Sequence, residues 1–325
     1  MQDPVQWGIL GASKFARQYM GRAIHASEHN VLAGLATSSA QKAEPFQAFA
    51  PDLKVYPDYD ALLADPQIDA VYVPLPNHMH VEWSLRAMAA GKHVLTEKPI
   101  AMVEDEFDRL IAARDEHGVL AAEAYMIVHH PQWIRAKALF DEGAIGPLRH
   151  VTAIFTYDNR ADTGNIRNRA ETGGGGLRDI GVYTMGAARF LSGCEPDALS
   201  ANLTYENGVD VYANVTARFA GFSFSGYTST RMSNRQEVVF HGETGVMRLT
   251  APFNPTVFGV AELALELPGL QTRVERFPPD NQYVLQVENF RRSAFEGAEY
   301  PCPLEFSRGT QRMLDMVFEA AGGPR

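Results

Sequence analysis

Along residues 5–123, short and nearly uninterrupted apolar runs alternate with longer stretches of helical period. The runs Val5–Leu10, Val31–Ala36, Lys54–Tyr56, Asp69–Val73, His93–Leu95 and Val119–Glu123 read as strands. The stretches 14–26, 40–50, 58–64, 78–90 and 103–117 read as the helices between them. Strands that are apolar on both faces and separated by helices belong to a parallel sheet covered on both sides. Asp58 and Asp60, and Glu104 to Glu106, put acid into the first turns of their helices, where the helix dipole favours it. Residues 1–125 therefore predict a doubly wound α/β domain.

After residue 130 the period changes. A helix over Trp133–Glu142 and a glycine turn at 143–147 lead into a strand, Leu148–Tyr157. A polar, glycine-rich segment follows at 158–176, then a helix over Leu177–Leu191. Strand-like runs come next at 198–206, 209–219, 222–231, 236–241, 246–250, 260–267 and 270–276, and helical patterns at 282–296 and 304–320 close the chain. Val209–Phe219 alternates apolar with polar, as a strand of a one-sided antiparallel sheet does. Residues 126–325 predict an α+β domain with a large, mostly antiparallel sheet. Tyr212, Tyr227, Thr228 and Thr230 are placed on its open face, which suits a second copy of the chain in a homodimer or homotetramer.

Composition narrows the class. The 325 residues exceed one comfortable core, so two domains are the default. A net charge of −10 argues against a nucleic-acid partner, which needs clustered Lys and Arg. Cys194 and Cys302 are too few and too far apart for a disulfide scaffold or a metal site. No run approaches the ~18 apolar residues of a membrane span. The first residues pass straight into a strand-like run with no room for a signal peptide, so a cytoplasmic protein is expected.

The chemistry concentrates in four places. Glu97-Lys98-Pro99 follows the apolar run His93–Leu95, at the strand end where open α/β sheets bind ligands. The proline keeps Lys98 extended and out of a following helix. Gly11-Ala12-Ser13-Lys14-Phe15-Ala16 follows the first strand and matches G-x-G-x-x-G/A, with serine at the second glycine. A serine hydroxyl and helix N-terminal amides can still serve a phosphate. This marks a Rossmann dinucleotide site. The second strand ends in Thr37-Ser38-Ser39 with Lys42 beyond, and no carboxylate there repels a 2′-phosphate; NADP(H) is favoured, with NAD(H) the alternative. Pro74-Leu75-Pro76-Asn77 precedes His80, with Asn77 a natural helix cap and His80 either packed or facing the dinucleotide. Finally, Gly173 to Gly176 open a helix carrying Asp179 and Tyr183 four residues apart, on one helical face.

Taken together, Ala90–Pro99, the first-strand fingerprint, Pro76-Asn77-x-x-His80 and the segment Gly173–Tyr183 resemble the glucose–fructose oxidoreductase, inositol dehydrogenase and rhizopine-catabolism (Gfo/Idh/MocA) family over nearly the whole chain. Tyr183, Glu123 to Met126, His130 to Trp133 and Asn165 to Arg167 resemble the branch of xylose dehydrogenase and dimeric dihydrodiol dehydrogenase. Ser13 and Gly186 depart from the family pattern, Gly186 standing where many relatives carry aspartate.

The resemblance implies hydride transfer between a nicotinamide cofactor and a sugar, polyol or related hydroxylated molecule. Tyr183 is then the proton partner at the substrate oxygen and Lys98 the cation that tunes it, or Lys98 is itself the donor. A phenol ordinarily ionises near pH ~10, and a neighbouring cation favours its ionised form. Asp179 orients, accepting from a substrate hydroxyl or from the lysine. His129 and Arg167 are candidates to line the substrate pocket. The cofactor set is Gly11, Ala12, Ser13, Lys14, Phe15, Thr37, Ser38, Ser39, Lys42, Pro74, Leu75, Asn77, His80, Glu97 and Lys98, and no metal is implied. Two other readings share the scaffold: a glycoside hydrolase working by transient oxidation on bound NAD, and a nucleotide-sensing regulator without catalysis.

Overall fold

A computed structural model describes residues 3–277 and 280–323. The chain divides into two compact units, Met1–His129 with Asn281–Ser307, and His130–Asp280 with Arg308–Arg325. This differs from a single cut after residue 125. The helix over 282–296, expected in the second domain, packs in the first unit because Phe290 meets Trp7 there, with ring centroids 5.1 Å apart.

The first unit is a six-stranded sheet. Its strands are β1 (Val5–Leu10), β2 (Asn30–Ala36), β3 (Lys54–Tyr56), β4 (Ala70–Val73), β5 (His93–Thr96) and β6 (Ala121–Glu123). Spatial order is β3-β2-β1-β4-β5-β6, with every pair parallel. Helices α1 (Gly21–Ala26), α2 (Ala40–Gln47), α3 (Tyr59–Leu63), α4 (His80–Ala89) and α5 (Glu106–His117) supply the crossovers. The strand order reverses between β1 and β4, and the loops leaving their carboxyl ends flank a crevice suited to a ligand. The helix expected over 14–26 begins as a π turn, Ala16–Met20, before α1. Such turns insert one residue, which a 3.6-residue period does not reveal.

The second unit is built on an eight-stranded sheet. After α6 (Pro131–Asp141) come β7 (Leu148–Asp158), α7 (Val182–Ser192), β8 (Pro196–Glu206), β9 (Val209–Phe219), β10 (Phe222–Ser229), β11 (Arg231–Gly242), β12 (Val246–Leu249), β13 (Glu262–Leu267) and β14 (Gln271–Arg276). The order is β14-β13-β12-β11-β7-β10-β9-β8, with only β7–β10 parallel. The helices α8 (Gln282–Glu296) and α9 (Leu304–Ala321) end the chain.

Alternation along β9 and β10 turns Ala213, Phe224, Gly226 and Thr228 toward Thr184 and Met185 of α7. Tyr212 and Tyr227 take the opposite parity and stand on the open face, rings 6.5 Å apart. Thr228 and Thr230, expected beside them, are buried. Thr228 shares the parity of the apolar positions, so the period of two sends it to the helix-covered side.

Candidate functional site

In the first unit, β1 runs into Gly11, whose φ of +99° is a conformation that glycine adopts freely. A Cβ there would lie 3.0 Å from Leu75 and 3.3 Å from the Tyr59 hydroxyl, so the turn leaves a cradle that a side chain would fill. Ala16 is fully buried where the following helix meets the sheet. These features fit a dinucleotide phosphate approaching the backbone. Ser13 has a second duty: its Oγ accepts from the Ala16 amide at 3.0 Å, so the hydroxyl caps the helix while its proton stays available.

At the end of β2, Thr37 Oγ1 accepts from the Ser39 amide and Ser39 Oγ caps α2 through the Lys42 amide, both at 3.3 Å. Ser38 and Lys42 are exposed. At the end of β4, Pro74 and Leu75 are buried and Asn77 opens a short 3₁₀ turn. The N-cap position of α4 is Met79, whose own side chain makes no capping hydrogen bond.

His80 is a correction. Its ring is completely buried, with Nδ1 2.7 Å from the Pro99 carbonyl and Nε2 2.7 Å from the Leu75 carbonyl. Neither nitrogen is left for a dinucleotide; the ring ties the loop after β4 to the loop after β5. Burial pushes its pKa down to about 4, against the pull of the two carbonyls. The folded value lies below the ordinary ~6.5, so the stability that His80 contributes is present above pH ~6.5 and is lost as pH falls toward about 4. Thermal midpoints measured from pH 7 to pH 4 are expected to fall, and His80→Gln to flatten that fall. An unchanged slope in the variant would remove His80 as a source.

Around Lys98 the backbone is held tightly. The Glu97 amide donates to the Val73 carbonyl at 3.1 Å, and the Glu97 carboxylate accepts from the buried Tyr72 hydroxyl at 2.5 Å. The Lys98–Pro99 peptide is cis. The next amide, Ile100, donates to Glu123 Oε1 at 2.9 Å. Glu123 is buried, and desolvation raises its pKa against the opposing pull of that amide. Glu123 was legible only as part of a family resemblance, because its partner lies 23 residues away.

His129 is also buried, and its environment explains its state. The Asn289 carbonyl oxygen takes the Arg292 guanidinium, which turns the Asn289 amide nitrogen to His129 Nδ1 at 2.7 Å. Nδ1 then accepts, the ring proton sits on Nε2, and Nε2 has no hydrogen-bond partner. Burial, with Arg292 adding to it, holds its pKa down at about 3.

In the second unit, the π turn Leu177–Gly181 leads into α7 and carries Asp179. Single π turns recur at functional sites. Both oxygens of the Asp179 carboxylate are engaged, Oδ1 by Arg167 Nε at 2.6 Å and Oδ2 by the Tyr157 hydroxyl at 2.5 Å. Arg167 thus meets Asp179 directly. Tyr157, at the end of β7, joins this cluster although nothing in the sequence singles it out. Burial, and Asp179 next, raise the Tyr157 pKa, so it stays protonated and donates. The glycines link this cluster to its neighbours: the Gly175 amide donates to the Arg167 carbonyl and the Gly174 amide to the Arg169 carbonyl, each at 3.0 Å. Tyr183 is buried in an aromatic stack, its ring 5.6 Å from Phe253 and 5.9 Å from Phe155.

Comparison with known proteins gives the arrangement its place. Residues 5–125 match the model of an oxidoreductase family with an NAD-binding Rossmann fold, and residues 133–248 match the GFO/IDH/MocA C-terminal domain. The dTDP-3,4-didehydro-2,6-dideoxy-α-D-glucose 3-reductase of Actinomadura kijaniata is 32% identical over 99% of this chain and 96% of its own. The D-xylose 1-dehydrogenase (NADP(+)) 2 of Haloferax volcanii is 31% identical over 98% and 97%. Among solved structures, the 3-ketoreductase KijD10 from Actinomadura kijaniata, in complex with NADP and TDP-benzene, superposes with a TM-score of 0.89 at 28% identity, covering 98% of each chain. The chain belongs to the Gfo/Idh/MocA family of oxidoreductases.

Proposed function

We propose that this protein is an NADP(H)-dependent oxidoreductase of sugars or closely related hydroxylated molecules. The observation that carries the reading is Lys98 at the carboxyl end of β5, in a sheet whose strand order reverses beside the Gly11 turn. The relatives that act on sugars, one of them named for NADP, support the substrate class and the cofactor. Gly11, Ala12 and Ser13 would hold the pyrophosphate, with Lys14 and Phe15 beside them, while exposed Ser38 and Lys42 would meet the 2′-phosphate. When bound, the nicotinamide supplies or takes up the hydride.

The chain's own residues handle the proton. Lys98 and Tyr183 are assigned the acid–base work at one substrate oxygen. The Tyr72–Glu97 hydrogen bond and the Glu123–Ile100 contact fix the backbone from which Lys98 extends. Tyr183 is oriented by its stack on Phe253. Asp179, already gripped by Arg167 and Tyr157, is oriented to accept from a substrate hydroxyl through its remaining lone pairs. A spectrophotometric screen of aldoses, polyols and trans-dihydrodiols with both nicotinamide cofactors tests the reading. Turnover of a sugar with NADP(H) is expected; sugar release with no lasting absorbance change would point to hydrolysis instead.

We also place two copies of the chain face to face through the open side of the second sheet, where Tyr212 and Tyr227 stand. Light scattering after size exclusion is expected to give at least twice the chain mass, and Tyr227→Lys to reduce it to one chain. A variant of unchanged mass would reject this face. Among the described residues no helix is long and apolar enough to cross a membrane. Neither Cys194 nor Cys302 is joined in a disulfide, which suits the cytoplasm we assign.

A further inference from the structure

Four consecutive glycines before a helix invite the idea of a ligand against bare backbone, yet the closest neighbour of this turn is a carboxylate of the protein itself. Asp210, at the start of β9, is buried, and its Oδ2 accepts from the Leu177 amide at 2.7 Å. Gly175 has a φ of +118°, and a Cβ on it would lie 2.2 Å from Asp210 Oδ1; one on Gly176 would lie 3.2 Å from Oδ2. The glycines are bare so that the carboxylate can approach. The Asp179 amide in turn donates to the Gly175 carbonyl at 3.1 Å. A short chain of hydrogen bonds therefore leads from Asp210 to the aspartate that Arg167 and Tyr157 grip.

We propose that Asp210 is a positioning residue: its carboxylate anchors the glycine turn and the first amide of the Leu177–Gly181 turn, and so sets where Asp179 and Tyr183 stand. The proposal rests on the functional reading above, in which those two residues serve the reaction. Burying a carboxylate is unfavourable without compensation. Here burial raises the Asp210 pKa to about 6, while the amides of Leu177 and Gly176 and the nearby Arg178 favour its charged form. A costly buried group retained at a turn next to the site is better explained by geometry than by stability.

The test compares Asp210→Ala with the isosteric Asp210→Asn, whose amide oxygen can still accept from Leu177. In Asp210→Ala, kcat on the sugar found by the screen is expected to fall about tenfold to ~10²-fold, the scale of a displaced catalytic group. KM and the NADPH dissociation constant, read by fluorescence titration, should remain within about twofold, and Asp210→Asn should recover most of the loss. Hydrogen exchange of the amides at 177–183 should quicken in Asp210→Ala and not in Asp210→Asn. Wild-type kcat in Asp210→Ala, an equal loss of NADPH binding, or no recovery in Asp210→Asn would overturn the assignment. If the unaltered protein turns over no sugar, the functional reading fails on its own. The exchange measurement then decides whether Asp210 holds the turn.

Discussion

Replacing Lys98 with methionine is expected to lower turnover at least ~10²-fold while leaving NADPH binding nearly intact, because general acid–base groups contribute ~10²–10⁴ to rate. Methionine keeps an unbranched apolar stem and removes the ammonium group. The backbone around it should stay in place, since it is held by groups the substitution does not touch: the Val73 carbonyl, the Tyr72–Glu97 hydrogen bond, and Glu123 on the Ile100 amide. Single-turnover kinetics and a fluorescence titration with NADPH separate the two effects. A methionine variant with wild-type turnover on the true substrate would remove Lys98 from the chemistry.

Tyr183→Phe is expected to cost a similar factor by a cleaner route. Phenylalanine preserves the ring that packs on Phe253 and Phe155 and deletes only the hydroxyl. Stability should therefore change little and NADPH affinity not at all. If Lys98 and Tyr183 act as one unit, the double variant should be scarcely worse than either single one, as happens when two residues share a step. Fully multiplicative losses would mean separate tasks, and a phenylalanine variant at wild-type rate would leave Tyr183 a packing residue.

Much of this architecture can be read from the chain because local patterns specify it. Near-continuous apolar runs between helices announce a parallel sheet, and the alternation of Val209–Phe219 announces a one-sided one. What the pattern conceals is partnership over distance. Ser13 and His80 stand at strand ends where ligand contacts are expected, yet Ser13 caps its own helix and His80 spends both nitrogens on carbonyls 5 and 19 residues away. Arg167 and Asp179 are 12 residues apart across a polar segment without period, so nothing local foretells that they meet. Thr228 and Thr230 show a different limit. Polarity suggested the open face, but parity along the strand governs and sends Thr228 inward. Asp210 carried one faint signal, an acid set between two valines.

The return of α8 to the nucleotide-binding unit bears on how the protein is made. Trp7 lies in the first strand of this sheet, while Phe290, the ring that packs on it, is synthesised 283 residues later. The sheet must therefore wait through that interval before one of its sides is sealed. A nascent or truncated product ending near His129 would carry an uncovered tryptophan and call for chaperone protection in the interval.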